Sequence, residues 1–424
     1  MHKHRRLVPT YRVAELTREY RLLRIGVLTL AVSLSTTLAQ AEPALTRQRI
    51  AELVRTAPQA RVTRADAAVS QAIVGASRLL SAENPVISGL GGVRFNPDGS
   101  RPFSGVASLS WPVDIGGKRG ARIDAAKADQ RAASVTARNE ERLLLFEALL
   151  QHSLVLKNER LVALAAARHA LSERVHAAAE RRRAAGSVPE LDVVLAAMQG
   201  KRDESHEAIA TGASEASRAT LFALLGLSGT PAVEGALIPS GDAPPLALLL
   251  TSSEARTDVL AARGALEAAQ LKASRERAGK WPTVHLIAQY ERDDRANIGL
   301  LGLAVPIPGL GANRLEVAAS AAEVEAASSR LSRSKAYALG QITELHARYV
   351  STKAALEALE PTAILTTRAV SLATRGYELG ESDLASVLLV RREAIDAESA
   401  LLEATYAHAS AKIELLVSIG KLPQ

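Results

Sequence analysis

Trp111-Pro112-Val113-Asp114-Ile115-Gly116-Gly117 closes an extended apolar stretch and opens a long run of helix formers, and Val305-Pro306-Ile307 through Gly311 does the same further along the chain. The two prolines are 194 residues apart. That offset persists: Ile123 with Val317, Ala125 with Ala319, Gly186 with Gly380, Val193 with Val387, and Leu225-Gly226 with Ile419-Gly420. Alanine matches carry little weight in an alanine-rich chain. One proline and three glycines at a single offset mark a tandem duplication of about 190 residues.

Each half reads alike. Residues 46–83 and 256–280 carry helix formers and stop before Pro85 and Pro282, as expected because a residue preceding proline avoids helical geometry. Two extended stretches follow in each half, about 86–95 and 103–111, then about 283–291 and 298–305. Val284, Leu286, Ala288 and Tyr290 alternate with a less apolar set, and the links Asn96 to Ser100 and Arg292 to Arg295 have turn chemistry, so each half contributes one hairpin. Residues 120–184 and 314–378 then run about 65 residues, interrupted after the opening Gly120 only by Gly340, Pro361 and Gly376, a helix of about 95 Å if continuous. Leu143, Phe146, Leu150, Leu154, Leu161, Leu164, Leu171 and Val175 follow near-heptad spacing, the pattern of long coiled-coil packing. Gly186 and Gly380 break the two runs, and helical sequence resumes to about Leu225 and Ile419. The resulting division is residues 1–41, a first repeat 42–230, a connector 231–255 rich in Gly, Pro and Ser, and a second repeat 256–424.

Composition narrows the function. The 424 residues include no cysteine, which excludes disulfides, thiolate metal sites and a cysteine nucleophile. Only 3% are aromatic, too few for a platform that stacks single-stranded nucleic acid. The formal charge of +7 is concentrated in residues 1–41; beyond them 45 basic residues face 43 acidic ones, so net charge makes no case for nucleic acid. Those first residues have the layout of an export signal: a basic stretch, the apolar run Ile25 to Leu38, and Ala39-Gln40-Ala41, with cleavage expected after Ala41. The run is broken by Ser33, Ser35, Thr36 and Thr37, which argues against a membrane anchor, and no later window has the length of a spanning helix. An exported chain with four short strands cannot close a barrel alone, so at least two copies must share one.

With these residues in place the chain resembles the TolC-like outer-membrane efflux factors over essentially its whole length after residue 41. The resemblance rests on the duplication, on Asn84-Pro85, on Trp111 through Arg119, on Gly186 through Asp192, and on Tyr377-Glu378-Leu379-Gly380-Glu381. Gly116-Gly117-Lys118-Arg119 is most similar to the heavy-metal, cobalt-zinc-cadmium efflux branch. The resemblance implies a mainly α fold with a small β part: a homotrimer whose helical hairpins form an α-barrel across the periplasm, capped by a 12-stranded transmembrane β-barrel in outer-membrane lipid. It implies a passive exit duct served by an inner-membrane pump and a periplasmic adaptor, with no enzymatic activity and no cofactor. It also implies that the hairpin tips, Gly186, Leu379 and Gly380, dock the adaptor. Carboxylates six and nine residues after the second-repeat glycine form the gate in that family. Here those positions are Ser386 and Leu389, while Asp192 follows Gly186 by six and Asp383 follows Gly380 by three. Asp192, Asp383 and Ser386 are therefore the gate candidates, with Asp383 equally suited to capping the returning helix.

Other patterns are weaker. Gly116-Gly117-Lys118 fails as a phosphate loop, because Pro112 stands where the first glycine is needed and Arg119 where Ser or Thr is needed; Gly309-Leu310-Gly311 fails as a dinucleotide fingerprint at Arg314. These glycines fit a bend between strand and helix. His169, Glu173 and His176 share one helical face, either as a metal site or as solvated polar residues. Pro189 fits the first turn of a helix, and Arg181, Arg182, Arg183 and Arg375 are either solvated charge or adaptor contacts. Two other functions compete with the duct: an exported coiled-coil adaptor or scaffold without transport activity, and an exported hydrolase, for which no nucleophile, base and oxyanion set is present.

Overall fold

The computed structural model describes residues 43–307 and 313–423; Ala39, Ala41, Gly309 and Gly311 lie outside the described residues. The first helical stretch is two helices, α1 (Arg47–Val54) and α2 (Pro58–Ser77). Thr46 caps α1 by accepting the Arg49 N–H (3.3 Å), and Pro58 opens α2, so the proline that ends one helix starts the next. The first hairpin, β1 (Val86–Val93) and β2 (Phe103–Asp114), leads into α3 (Lys118–Ala184) and α4 (Glu190–Leu225). The second half repeats the plan after a short α5 (Leu246–Thr251): α6 (Thr257–Ala278), β3 (Thr283–Asp293), β4 (Ala296–Ala304), α7 (Arg314–Leu359), α8 (Thr362–Leu379) and α9 (Leu384–Ser418). At 67 residues α3 extends about 100 Å. Its counterpart is broken between α7 and α8 at Glu360 and Pro361, whereas Gly340 passes through α7 without interrupting it. No helix among the described residues is long and apolar enough to cross a membrane.

The four strands form one antiparallel sheet in chain order, so β1 and β4 are edges without a partner in the chain. Register sorts the side chains into two unlike faces. On one, Ile87, Leu109, Ala288 and Leu301 form a row beside Trp111, Leu286 and Leu303. Ile87 is 82% exposed and Leu301 90%, apolar surface with no cover in one chain. Arg292 and Asn297, next to the second turn, are the only charged or amide side chains on that face of the described strands. The other face is mixed but holds every carboxylate of the strands: Ser88, Ser104, Ser108, Ser110, Asp114, His285, Gln289, Glu291 and Asp293 interleave with Val86, Leu90, Val106, Ile287, Ile298 and Leu300. A sheet apolar outside and polar inside is the pattern of a transmembrane barrel wall. Arg292 and Asp293, expected in the turn, instead extend β3, leaving a two-residue turn in which Asp294 takes the left-handed region (φ 56°).

The strand-to-helix bend is made by Gly116 (φ 65°) and Gly117 (φ 78°). A Cβ at Gly116 would lie 2.2 Å from the Trp281 ring, so the indole occupies the space a side chain would need. Lys118 donates to Thr283 Oγ1 (2.8 Å), and Arg122 pairs with Asp114 (2.6 Å) while donating to the Ser77 and Leu79 carbonyls. The basic residues after the glycines therefore tie the helix start to the neighbouring chain.

The main core joins α1, α3, α4 and α9 around Ile50, Leu149, Leu221 and Ile413. Here the leucine stripe on α3 departs from expectation. Leu143 is exposed and Leu150, Leu154, Leu161, Leu164 and Leu171 are half-buried, while Ala148, His152, Ser153, Ala165 and Ser172 lie on the enclosed line. Helices flank α3 on more than one side, and close approach selects small side chains where they meet. The first part of the connector, residues 231–245, packs on this core as irregular chain before α5, so its carbonyls need donors from elsewhere. Arg47 donates to Leu237 O (3.0 Å), His152 Nε2 lies 3.2 Å from both Leu45 O and Glu234 O, and Lys412 donates to Pro239 O (2.7 Å).

Candidate functional site

Both hairpins turn at a glycine in the left-handed region, Gly186 (φ 72°) and Gly380 (φ 82°). Gly186 and Ser187 donate backbone N–H groups to Arg183 O and Arg182 O, each at 2.8 Å. At the second tip Gly380 donates to Tyr377 O (3.1 Å) and Glu381 to Gly376 O (2.8 Å). This is the same helix-ending motif twice, using glycine because positive φ costs it little. The returning helices begin differently. Pro189 is the extended residue before α4, one position ahead of the first turn where it was expected, and Glu190 reaches back to Arg183 (2.9 Å). Asp383 caps α9, its Oδ1 accepting the Ser386 N–H (2.9 Å), and hydrogen bonds from Ser386 hold its carboxyl below the usual range.

The two tips are joined by a contact that the sequence reading missed. Arg182, half-buried rather than solvated, donates from Nη1 to Tyr377 O (3.0 Å) and Ser382 O (3.4 Å), and its guanidinium lies 4.6 Å from the centre of the Tyr377 ring. Tyr377 is fully buried, packed with Val175, Ala179, Ala196, Leu384 and Val387 from both hairpins. Burial, and after it the charge of Asp192, push its phenol up. Asp192 thus sits in the first turn of α4 within electrostatic reach of the latch, half-buried, while Asp383 and Ser386 are exposed on the second tip. Neither aspartate forms an ion pair among the described residues; Glu378, Glu381, Arg181 and Arg375, exposed around the second tip and the first, form none either. Leu379, 64% exposed, and Gly380 stand at the outermost turn. Arg181 and Arg375 are exposed. Comparing the repeats could not reveal the latch, because it joins non-equivalent positions; the usable signal was a tyrosine next to a tip in a chain with only seven.

The histidine face on α3 is divided among ion pairs. His169 Nδ1 lies 2.8 Å from Glu207, its Nε2 3.8 Å from Glu173, and His176 faces Glu180 at 3.9 Å. Among the described residues no group of three or more such side chains is arranged to hold a metal ion. Further from the tips, Asp203 of α4 and Arg391 of α9 form a buried ion pair (2.9 Å; 3% and 5% exposed) over Ser172 of α3, which donates to Asp203 and accepts from Arg391 (2.8 Å). This cluster joins the first repeat to the second inside the helical wall.

Comparison with known proteins agrees with this geometry. The family described as outer membrane efflux protein matches residues 56–227 and 249–421. The cobalt-zinc-cadmium resistance protein CzcC of Cupriavidus metallidurans is 27% identical over 296 residues, 68% of this chain and 70% of that protein. Among solved structures, CusC, studied for transmembrane channel formation, superposes with a TM-score of 0.74 at 17% identity, covering 88% of this chain and 92% of its own. The outer membrane protein VceC of Vibrio cholerae gives 0.73 at 17% identity, covering 89% and 97%.

Proposed function

Because the chain belongs to the outer membrane efflux protein family, we propose that it is the exit duct of a tripartite system, conducting passively what an inner-membrane pump and a periplasmic adaptor deliver. It is an outer-membrane protein with its helices extending into the periplasm. The observation that carries the proposal is the sheet: one face apolar and exposed, the other bearing all the carboxylates of the strands, with β1 and β4 left as open edges. Three copies pairing β4 of one with β1 of the next close twelve strands, satisfying every edge in lipid. A scaffold without transport has no use for such a face. Heavy-metal cations are the substrate class that fits, supported by the likeness to CzcC and by the carboxylates at the tips. In this reading the tips dock the adaptor through Gly186, Leu379 and Gly380, and Asp192 and Asp383, repeated around the trimer, make the periplasmic entrance acidic.

Fractionation of expressing cells with cross-linking tests the duct. A trimer in the outer-membrane fraction, with an N-terminus at Glu42 after cleavage behind Ala41, is expected; a soluble periplasmic monomer would sink the proposal. The Arg182 latch makes a second prediction. Arg182→Ala removes two charge-assisted hydrogen bonds worth about 1.5–3 kcal/mol each to a closed tip. Open probability in planar bilayers should rise by about tenfold or more, with Arg182→Lys intermediate because lysine lacks the planar fork. Unchanged gating in Arg182→Ala would remove the latch from the mechanism.

A further inference from the structure

We propose that Glu291, on the polar face of β3, sets cation preference inside the outer-membrane barrel, at the end opposite the helical tips. The inference rests on the duct reading, since only a closed trimeric barrel turns one carboxylate per chain into a ring. Register places Glu291 opposite Val106 and Ile298, on the same face as Ser108 and Gln289 and two residues before the turn. Its carboxylate differs from the others on or beside that face in having no cationic partner. Asp293 is paired with Arg94, Asp114 with Arg122, and Glu83 faces His285 at 3.6 Å, whereas no hydrogen bond or ion pair engages Glu291 among the described residues.

On this face of the strands the unpaired charge is therefore one negative unit per chain, or three per trimer, while the turn residues Asp98, Arg101, Asp294 and Arg295 add two charges of each sign. Arg292, adjacent in sequence, does not cancel it across the lumen, because alternation turns it to the apolar face. Twelve strands at about 4.8 Å spacing enclose a lumen of roughly 12 Å radius. The Debye length is about 30 Å at 0.01 M salt, so the ring's field fills that lumen and raises the local cation concentration without binding any ion tightly. Passage is favoured because such a ring attracts without retaining.

The test is the reversal potential of the full-length trimer in planar bilayers under a potassium chloride gradient at low ionic strength. Glu291→Gln should lower the cation-to-anion permeability ratio by about twofold or more. Arg292→Gln should leave it unchanged. A Glu291→Gln channel with the wild-type ratio overturns the inference, as does a shift caused by Arg292→Gln instead, which would invert the faces. Absence of conducting pores in the wild-type protein would overturn the duct reading and Glu291 with it, a failure separable from the first. The chain contains no cysteine, so Glu291→Cys and Arg292→Cys give an independent readout. A membrane-impermeant thiol reagent should label the first in outer-membrane vesicles and leave the second, on the lipid-facing side, unlabelled. Labelling of the second alone would overturn the assignment.

Discussion

Replacing Asp203 by alanine is expected to lower the stability of the protein by about 3–5 kcal/mol, because it strands the Arg391 guanidinium inside the helical wall. Arg391 gives Nη2 to Asp203 (2.9 Å), Ser172 Oγ (2.8 Å) and Arg168 O (3.2 Å), while Nη1 is buried with no partner. Removing the carboxylate deletes the one negative charge among the described residues that offsets burial of Arg391, a side chain only 5% exposed. The penalty belongs to breaking the pair rather than to its net worth. The double variant Asp203→Leu with Arg391→Met should therefore recover most of the loss. The urea midpoint of detergent-solubilised protein measures both. If Asp203→Ala lies within about 0.5 kcal/mol of wild type, the pair is not what joins the hairpins here.

Much of the architecture was legible because it depends on interruptions. Pro112, Gly186 and Gly226, matched at 194 residues by Pro306, Gly380 and Gly420, punctuate the chain where strands, tips and helix ends fall, and α4 and α9 begin at that same offset, at Glu190 and Leu384. Backbone conformation there is decided locally, so one sequence suffices to read it. The exposed row on the sheet was readable for the same reason, since period-2 alternation assigns faces without knowing partners. What the sequence hid were contacts between segments that lie far apart along it. Near-heptad leucines on α3 suggested a single coiled-coil seam, but several helices meet this one, and of that stripe Val175 is fully buried while Ala148, Ser153 and Ala165 outside it are buried too. Arg182 read as solvated charge for a similar reason: nothing local indicates that Tyr377 O and Ser382 O, about two hundred residues later, will stand beside it. Asp383 was readable as a cap because its partner, Ser386, is three residues away. The residues at the tips therefore divide: the local cap was visible, the long-range contact of Arg182 was not.

Acidification from neutral pH should destabilise the core through His152 before most carboxylates begin to titrate. The ring is wholly enclosed, and burial, followed by the nearby positive charge of Arg47, lowers its pKa from 6.5 to about 4. Both groups facing Nε2, Leu45 O and Glu234 O, are acceptors, so Nε2 carries the proton in the neutral tautomer and Nδ1 is bare, buried and without a partner. A second proton would place an N–H on Nδ1 with nothing to accept it, beside a guanidinium. The folded state thus prefers the neutral ring, while the unfolded chain takes up a proton near pH 6.5. Between those two values the unfolded state binds more protons, so stability rises with pH across the window; it is fully present above about 6.5 and is lost as pH falls towards about 4. At about 1.4 kcal/mol per pH unit this amounts to about 3 kcal/mol. His408, lowered first by burial and then by Lys412 and Lys353, adds to the same trend. Chemical unfolding midpoints between pH 7.5 and pH 4.5 should fall steeply in the wild-type protein and more gently in His152→Gln, which keeps an N–H donor for the Leu45 and Glu234 carbonyls but cannot titrate. Equal slopes in the two proteins would show that His152 does not set the acid sensitivity. A flat wild-type profile would mean that the ring takes up its proton as readily in the folded protein as in the unfolded chain, contrary to its burial against Arg47.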